Sequence, residues 1–163
     1  GRLGYRFDNK IEVFLSLSII KSELEPELSN ASGKFPKTIL NPIITYKISF
    51  NKRNHLNLGG GLRFSLKNVL DVDASKLDGG AHNIFIYKNS VCPSAFLGYE
   101  LYTVEWFSFT ISTSFYSQNY RLKEFTSNGD KINLEIVDPE MMEIIDNVDG
   151  SGYEILFGIR FHF

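Results

Sequence analysis

The chain has 163 residues, and its 43% hydrophobic and 14% aromatic content is ample for a single folded domain. Its formal net charge is −2, with 17 basic and 19 acidic residues, so it lacks the basic surface that binding to a nucleic-acid backbone requires. No stretch approaches the roughly 18 consecutive apolar residues of a membrane-spanning helix.

The first two segments form a predicted hairpin. Residues 1–7 alternate apolar and polar side chains, which predicts a β-strand because successive side chains of a strand point to opposite faces. A polar turn at about residues 8–10 leads to a second alternating segment at residues 11–20. A polar loop is then predicted at about residues 22–37, where Pro26, Gly33 and Pro36 occur.

The middle of the chain repeats this arrangement twice. Alternating strands are predicted at residues 42–50 and 56–66 around a tight turn at 51–54, followed by a long loop at about 67–83. Two more are predicted at residues 93–101 and 106–116 around a turn at about 103–105. The connections therefore alternate between tight turns and long loops.

A third long loop is predicted at about residues 117–151, before a last alternating strand from Tyr153 to Phe163. Within it, Asn128 and Gly129 are typical of a hairpin turn joining residues 120–125 to 132–136. Asp138 and Pro139 predict the N-cap and first residue of a short helix that continues through Ile145 and stops near Gly150.

These features predict an all-β fold, an antiparallel up-and-down transmembrane β-barrel of the eight-stranded type. Short turns on one side and long loops on the other are typical of outer-membrane barrels, whose short turns are periplasmic. Seven spanning strands can be counted, and such barrels have even numbers, so we expect the first strand to be missing from this chain. The topology predicts a bacterial outer-membrane location with the C-terminus on the periplasmic side.

Alternation alone also allows a soluble lipocalin-like ligand-binding barrel, whose apolar side chains point inward. The polar face is dominated by Ser, Thr, Asn and Gly rather than by the Lys and Glu expected of a surface in bulk water. Small and hydroxylated side chains suit the crowded lumen of a narrow barrel. Aromatic residues concentrate near the turn side, as in an interfacial girdle. Both observations favour the membrane barrel.

Charged residues on the polar face predict an ion-pair network that plugs the lumen, since charges in a confined space must pair or keep water. The residues are Arg6, Glu12, Lys47, Arg63, Glu100, Glu154 and Arg160. Arg63 and Glu154 are expected at a higher level than the other five. A proton or ion path is the alternative, which a narrow eight-stranded lumen disfavours.

Three stretches carry a family resemblance: an apolar-proline-apolar strand at residues 40–47, a glycine-centred return strand at residues 56–62, and Gly158 to Phe161. The chain resembles the outer-membrane β-barrel family common in Bacteroidetes, which includes the PorT-like proteins. It departs from that pattern at Gly60, where a proline is frequent, and at Asn41, where an acid is frequent. The resemblance implies the fold and an outer-membrane location, and no activity.

Candidate catalytic and metal-binding residues are few. A barrel enzyme acting on lipid or peptide at the outer leaflet would need a histidine near an acid, and only His82, near Asp71 and Asp78, fits. Asp71, Asp73, Ser75 and Asp78 are spaced like a calcium loop, but Lys76 stands where its sharp-turn glycine should be. We therefore predict no catalytic residues, metal or cofactor.

The acidic third loop is the predicted partner surface, with Met141, Met142 and Ile145 expected to be exposed. The favoured function is a non-enzymatic barrel that anchors, scaffolds or binds partners through extracellular loops. The predicted partners are outer-membrane lipid and other outer-membrane or periplasmic proteins.

Overall fold

A computed structural model describes residues 1–7, 10–24 and 32–163. These residues form an almost entirely antiparallel β-structure with one short α-helix. The strands are β1 (Arg2–Arg6), β2 (Ile11–Leu24), β3 (Ser32–Ser49), β4 (Asn54–Leu66), β5 (Val69–Asp73), β6 (His82–Tyr87), β7 (Ser90–Val104), β8 (Phe107–Tyr116), β9 (Asn119–Ser127), β10 (Asp130–Ile132), β11 (Asn147–Asp149) and β12 (Gly152–Phe161). The helix α1 is Pro139–Asp146, and Leu134–Ile136 form a 3₁₀ turn.

Seven strands form one curved sheet, here called the main sheet, in the order β1-β2-β3-β4-β7-β8-β12. Every neighbouring pair is antiparallel. Six antiparallel pairings in succession leave β1 and β12 pointing in the same direction, and the sheet is not closed between them. These strands include all seven alternating segments of the sequence, so the predicted antiparallel up-and-down arrangement is confirmed.

Short turns join the strands at one end of the main sheet, here called the turn end. Between β3 and β4, the Asn51 side-chain oxygen accepts hydrogen bonds from the backbone N–H groups of Arg53 (2.8 Å) and Asn54 (2.9 Å). Asparagine favours such turns because its side chain mimics a backbone acceptor. The turn between β7 and β8 lies at Glu105 and Trp106, slightly later than predicted. Residues 8–9 of the first predicted turn lie outside the described residues.

The opposite end of the main sheet carries a second unit, here called the loop-end subdomain, made of β5, β6, β9, β10, β11 and α1. Its strands join the main sheet through β3, where Ser32–Lys34 pair with β5. Strand β5 pairs with β6, β6 with β9, and β9 with β10 and β11. Where described, the loop predicted at 22–37 is strand, because β2 and β3 run longer. The loop predicted at 67–83 contains β5, which pairs on both sides, and the start of β6.

The third long connection agrees better with expectation. Asn128 and Gly129 have φ of 50° and 90°, as a tight hairpin turn requires, and join β9 to β10. The second strand is shorter than predicted, because Asn133 caps the 3₁₀ turn that follows it. Asp138 caps α1 as predicted, and the helix ends at Asp146. No helix in the described part of the chain is long and apolar enough to cross a membrane.

The loop-end subdomain has a conventional apolar core. The core consists of Phe35, Phe85, Tyr87, Tyr120, Leu122 and Phe125. Phe85 and Phe125 stack at 4.7 Å between ring centroids, and the side of α1 that faces the core packs against the cluster. Burial of aromatic rings supplies most of the energy available to so small a unit.

Candidate functional site

The outer face of the main sheet is apolar and uncovered. Phe157 is 78% exposed, and large apolar side chains are exposed on all seven strands. They include Leu3, Tyr5, Leu15, Leu17, Ile44, Ile48, Leu58, Leu62, Leu97, Leu101, Phe109, Ile111, Phe115, Ile155 and Ile159. A continuous apolar surface of this extent marks a membrane or partner contact rather than a surface in water.

Aromatic side chains gather on this outer face at the turn end. Trp106 stacks on Phe161 with ring centroids 6.3 Å apart, and Phe107 lies 5.5 Å from Phe161. Phe109 approaches Phe107 edge-on at 5.1 Å. Aromatic rings are enriched where hydrocarbon meets polar headgroups, so the cluster fits the girdle of a membrane barrel.

The inner face at the turn end holds a polar network centred on Glu100, which is fully buried. Ser108 donates a 2.8 Å hydrogen bond to Glu100 Oε1. Arg160 Nη1 lies 3.5 Å from Oε1, and Lys47 Nζ lies 3.6 Å from Oε2. A buried carboxylate is costly unless it is paired and hydrogen-bonded. Both oxygens of Glu100 are in ion pairs, but only Oε1 is hydrogen-bonded within the described part of the chain.

The same network extends across the open edge of the sheet. Arg160 Nη1 on β12 lies 2.9 Å from both carboxylate oxygens of Glu12 on β2. Side chains of the second and last strands of the main sheet therefore meet across its inner face at this end. Arg6 and Lys47 donate to the hydroxyl of Tyr102, at 3.1 and 3.3 Å. Five of the seven predicted inner residues thus share one connected cluster, and Tyr102 and His162 join it unpredicted.

An apolar layer lies above the network. Phe14, Ile43 and Phe96 form a buried cluster on the inner face, with the two aromatic rings edge-to-face at 5.2 Å. The Arg2 guanidinium lies over both rings, at 5.0 and 5.1 Å. On β4, a methyl group at Gly59 or Gly61 would overlap backbone of β3, so only glycine fits this close approach.

A second polar layer follows toward the loop end. Arg63 Nη1 lies 3.6 Å from Glu154 Oε2, and the Arg63 guanidinium lies 3.8 Å from the centre of the Tyr116 ring. This pair is separate from the turn-end network, at the higher level that the sequence predicts. The inner face therefore carries a polar, an apolar and a second polar layer, and side chains occupy each.

Among the described residues, neither His82 nor His162 lies in an acyl-transfer arrangement. His82 Nε2 lies 2.8 Å from Asp71 Oδ1 on the loop-end subdomain. At the turn end, His162 Nε2 contacts both Ser108 (3.0 Å) and Glu100 (3.2 Å). A catalytic triad needs the acid on the other ring nitrogen and a reachable serine, whereas Ser108 is completely buried.

The calcium-loop-like spacing noted in the sequence is explained by a local turn at Asp73 and Ser75. Asp73 accepts hydrogen bonds from the Ser75 hydroxyl (2.6 Å) and backbone N–H (3.0 Å), which lower the pKa of its carboxyl. Among the described residues, no group of three or more His, Cys, Asp or Glu side chains is placed to hold a metal ion.

The predicted partner surface needs correction. Met142 and Ile145 are not free on the surface but pack partly buried against the loop-end core. Met141 is 41% exposed, as predicted, and its exposed neighbour is Ile144, at 75%. The side of a short helix that faces inward depends on the strands beneath it. Strand β9 was predicted, but its pairing with β6 and β11 was not.

Comparison with known proteins identifies the fold. No family model and no curated protein matches the chain. Among solved structures, the outer-membrane β-barrel CarO of Acinetobacter baumannii is similar, with a TM-score of 0.52 and 12% identity over 99% of this chain and 91% of that chain. At this identity the likeness shows the fold alone, and that fold is an outer-membrane β-barrel.

Proposed function

We propose that the protein is a non-enzymatic barrel of the bacterial outer membrane, with its loop-end subdomain outside the cell and its short turns and C-terminus on the periplasmic side. The single observation that carries the proposal is the inversion of the main sheet, apolar outside and polar inside. That arrangement is stable in hydrocarbon and unfavourable in water. Outer-membrane lipid is accordingly its first partner.

The filled inner face supports an anchoring or partner-binding role over transport. The two polar layers and the Phe14, Ile43 and Phe96 layer occupy the space through which a solute would pass. The interior of a barrel of about eight strands is filled by side chains rather than left as a water channel. The elaborate part of the molecule is the loop-end subdomain, so contacts with other outer-membrane or periplasmic proteins are expected to run through its surface or through the short turns.

The proposed lineage is the PorT-like outer-membrane family of Bacteroidetes, supported by the proline of β3, the glycines of β4 and the Gly158 to Phe161 ending. A second candidate function, an enzyme acting on lipid or peptide at the outer leaflet, rests on the 2.8 Å contact between His82 and Asp71. An unchanged lipid and peptide profile in His82→Ala would remove that candidate.

The proposal is tested by refolding the full chain into detergent and into planar bilayers. We expect a detergent-dependent protein whose gel mobility changes on heating, as folded barrels show, and no stepwise conductance. Full solubility without detergent would overturn the membrane location. Regular single-channel steps would overturn the filled interior while leaving the barrel intact.

A further inference from the structure

One side of α1 is left uncovered by the other residues that the structure describes. Met142 and Ile145 point to the loop-end core, and the opposite side carries Glu140, Glu143 and Ile144, with Met141 at its margin. Residues three or four apart on a helix are neighbours, so Glu140 lies beside both Ile144 and Glu143. We call Glu140, Met141, Glu143 and Ile144 the α1 outer face.

The α1 outer face is acidic as well as apolar. Glu135, Glu140 and Glu143 are exposed, and none of them lies within ion-pair distance of a Lys, Arg or His in the described part of the chain. Asp138 is already engaged, because its carboxylate accepts hydrogen bonds from the N–H groups of Glu140 (2.9 Å) and Met141 (3.4 Å). Free carboxylates therefore flank an exposed apolar side chain.

We propose that the α1 outer face docks a cationic amphipathic segment of a second protein. Its apolar side chains would cover Met141 and Ile144, and its Lys or Arg side chains would pair with Glu140 and Glu143. Charge complementarity selects such a partner. The same carboxylates would repel an anionic lipid surface, which attracts basic segments instead. The inference rests on the proposed function, since it requires the loop end to stand clear of the membrane.

The test uses the full chain in zwitterionic detergent and two synthetic peptides with the same apolar residues, one with Lys and one with Glu at the polar positions. We expect the Lys peptide to bind and the Glu peptide not to bind. Binding should weaken as salt is added, because exposed charges are screened. Equal binding of both peptides would overturn the inference.

Two matched variants locate the surface. Glu143→Lys should weaken binding of the Lys peptide about fivefold or more, the scale of one exposed ion pair with added repulsion. Glu105→Lys makes the same charge change in the turn between β7 and β8, at the other end of the molecule, and should leave binding unchanged. Equal losses in the two variants would show a net-charge effect and overturn the assignment.

A third variant, Ile144→Ser, removes the apolar contact and should weaken binding several-fold. Unchanged binding in Ile144→Ser would also overturn the proposed geometry. Heat-modifiable gel mobility is measured on every sample. If gel mobility still changes on heating and the peptide experiment fails, only this inference is overturned. If the gel mobility of the unsubstituted protein does not change on heating, the proposed function is overturned independently of the peptide experiment.

Discussion

The main sheet and the loop-end subdomain are built from similar alternating strands. The main sheet buries its polar side chains, whereas the loop-end subdomain buries its apolar ones. In β8, Ile111 is exposed and Ser112 is buried, whereas in β9 Leu122 is buried and its neighbours Arg121 and Lys123 are exposed. Both strands alternate, so the local backbone rule is the same. The difference lies in the medium around each region, with hydrocarbon expected outside the first and water outside the second.

A polar belt lies where the inversion occurs. Tyr120 donates to Gln118 at 3.0 Å, and its hydroxyl oxygen lies 3.1 Å from that of Ser65. Ser65 donates to Asn68 at 2.6 Å, and Asn68 donates to the Lys88 carbonyl oxygen at 3.1 Å. Two regions with incompatible surroundings can share one chain because a hydrogen-bonded layer separates their apolar parts. Four experiments would break or sharpen this comparison.

The largest effect is expected from removing the buried acid of the main sheet. Glu100→Ala leaves Lys47 and Arg160 near each other without their shared carboxylate, which should lower the free energy of unfolding by about 3–5 kcal/mol. Urea titration of refolded protein in lipid vesicles measures it. Lys47→Met in the same background should recover part of the loss, and a loss below about 0.5 kcal/mol would contradict a functioning network.

The second-largest effect tests directly whether the outer face of the main sheet meets membrane or water. Ile111→Arg on the outer face should cost about 2–4 kcal/mol if the side chain meets hydrocarbon near the middle of the bilayer. The same change on an exposed position of a soluble protein is usually within about 0.5 kcal/mol. Vesicle-based unfolding decides between them, with Ile111→Leu as the control for local packing.

A smaller effect tests the corrected orientation of α1. Met142→Ala removes a half-buried side chain from the loop-end core and should destabilise that subdomain by about 1–2 kcal/mol, part of the usual cost of a buried methionine. Met141→Ala, one position away and exposed, should change stability by less than about 0.5 kcal/mol. Limited proteolysis of the loop end measures both, and equal effects would contradict the assigned faces.

The smallest effect is confined to alkaline pH. Burial, and then the negative charge of Asp146, raise the pKa of Tyr87 in the loop-end core to about 12. An unfolded tyrosine ionises near pH 10, so this stabilisation is complete below about pH 10 and is lost as the pH rises through about 12. Protease sensitivity of the loop end should therefore rise over that interval, and Tyr87→Phe should reduce the change.

The sequence is sufficient to predict the main sheet because each of its strands is specified by residues that are close together in the sequence. Uninterrupted alternation between tight polar turns defines each spanning strand, as Tyr153 to Phe163 shows most clearly. The same holds for α1, where Asp138 and Pro139 mark its start. The depths of the charged residues on the polar face also predict which of them share a layer, without the contributions of Tyr102 and His162.

The parts of the structure that were not predicted depend on contacts between residues that are distant in the sequence. Val69–Asp73 reads as an acidic loop segment and becomes a strand only because β3 and β6 pair with it on either side. The inner layer of Phe14, Ile43 and Phe96 comes from three separate strands, so no single segment shows it. Met142 and Ile145 likewise turn inward because of the strands beneath them.

Strand β3 belongs to both regions, pairing with β2 along its length, with β4 from Thr38 to Ser49 and with β5 from Ser32 to Lys34. Its 18 residues correspond to about 60 Å of extended chain, roughly twice the thickness of a bilayer core. One continuous strand therefore joins the two regions through backbone pairing on both of them. If the main sheet tilts in the membrane, the orientation of α1 changes with it. The bilayer itself would therefore help set the direction in which the acidic helix is presented.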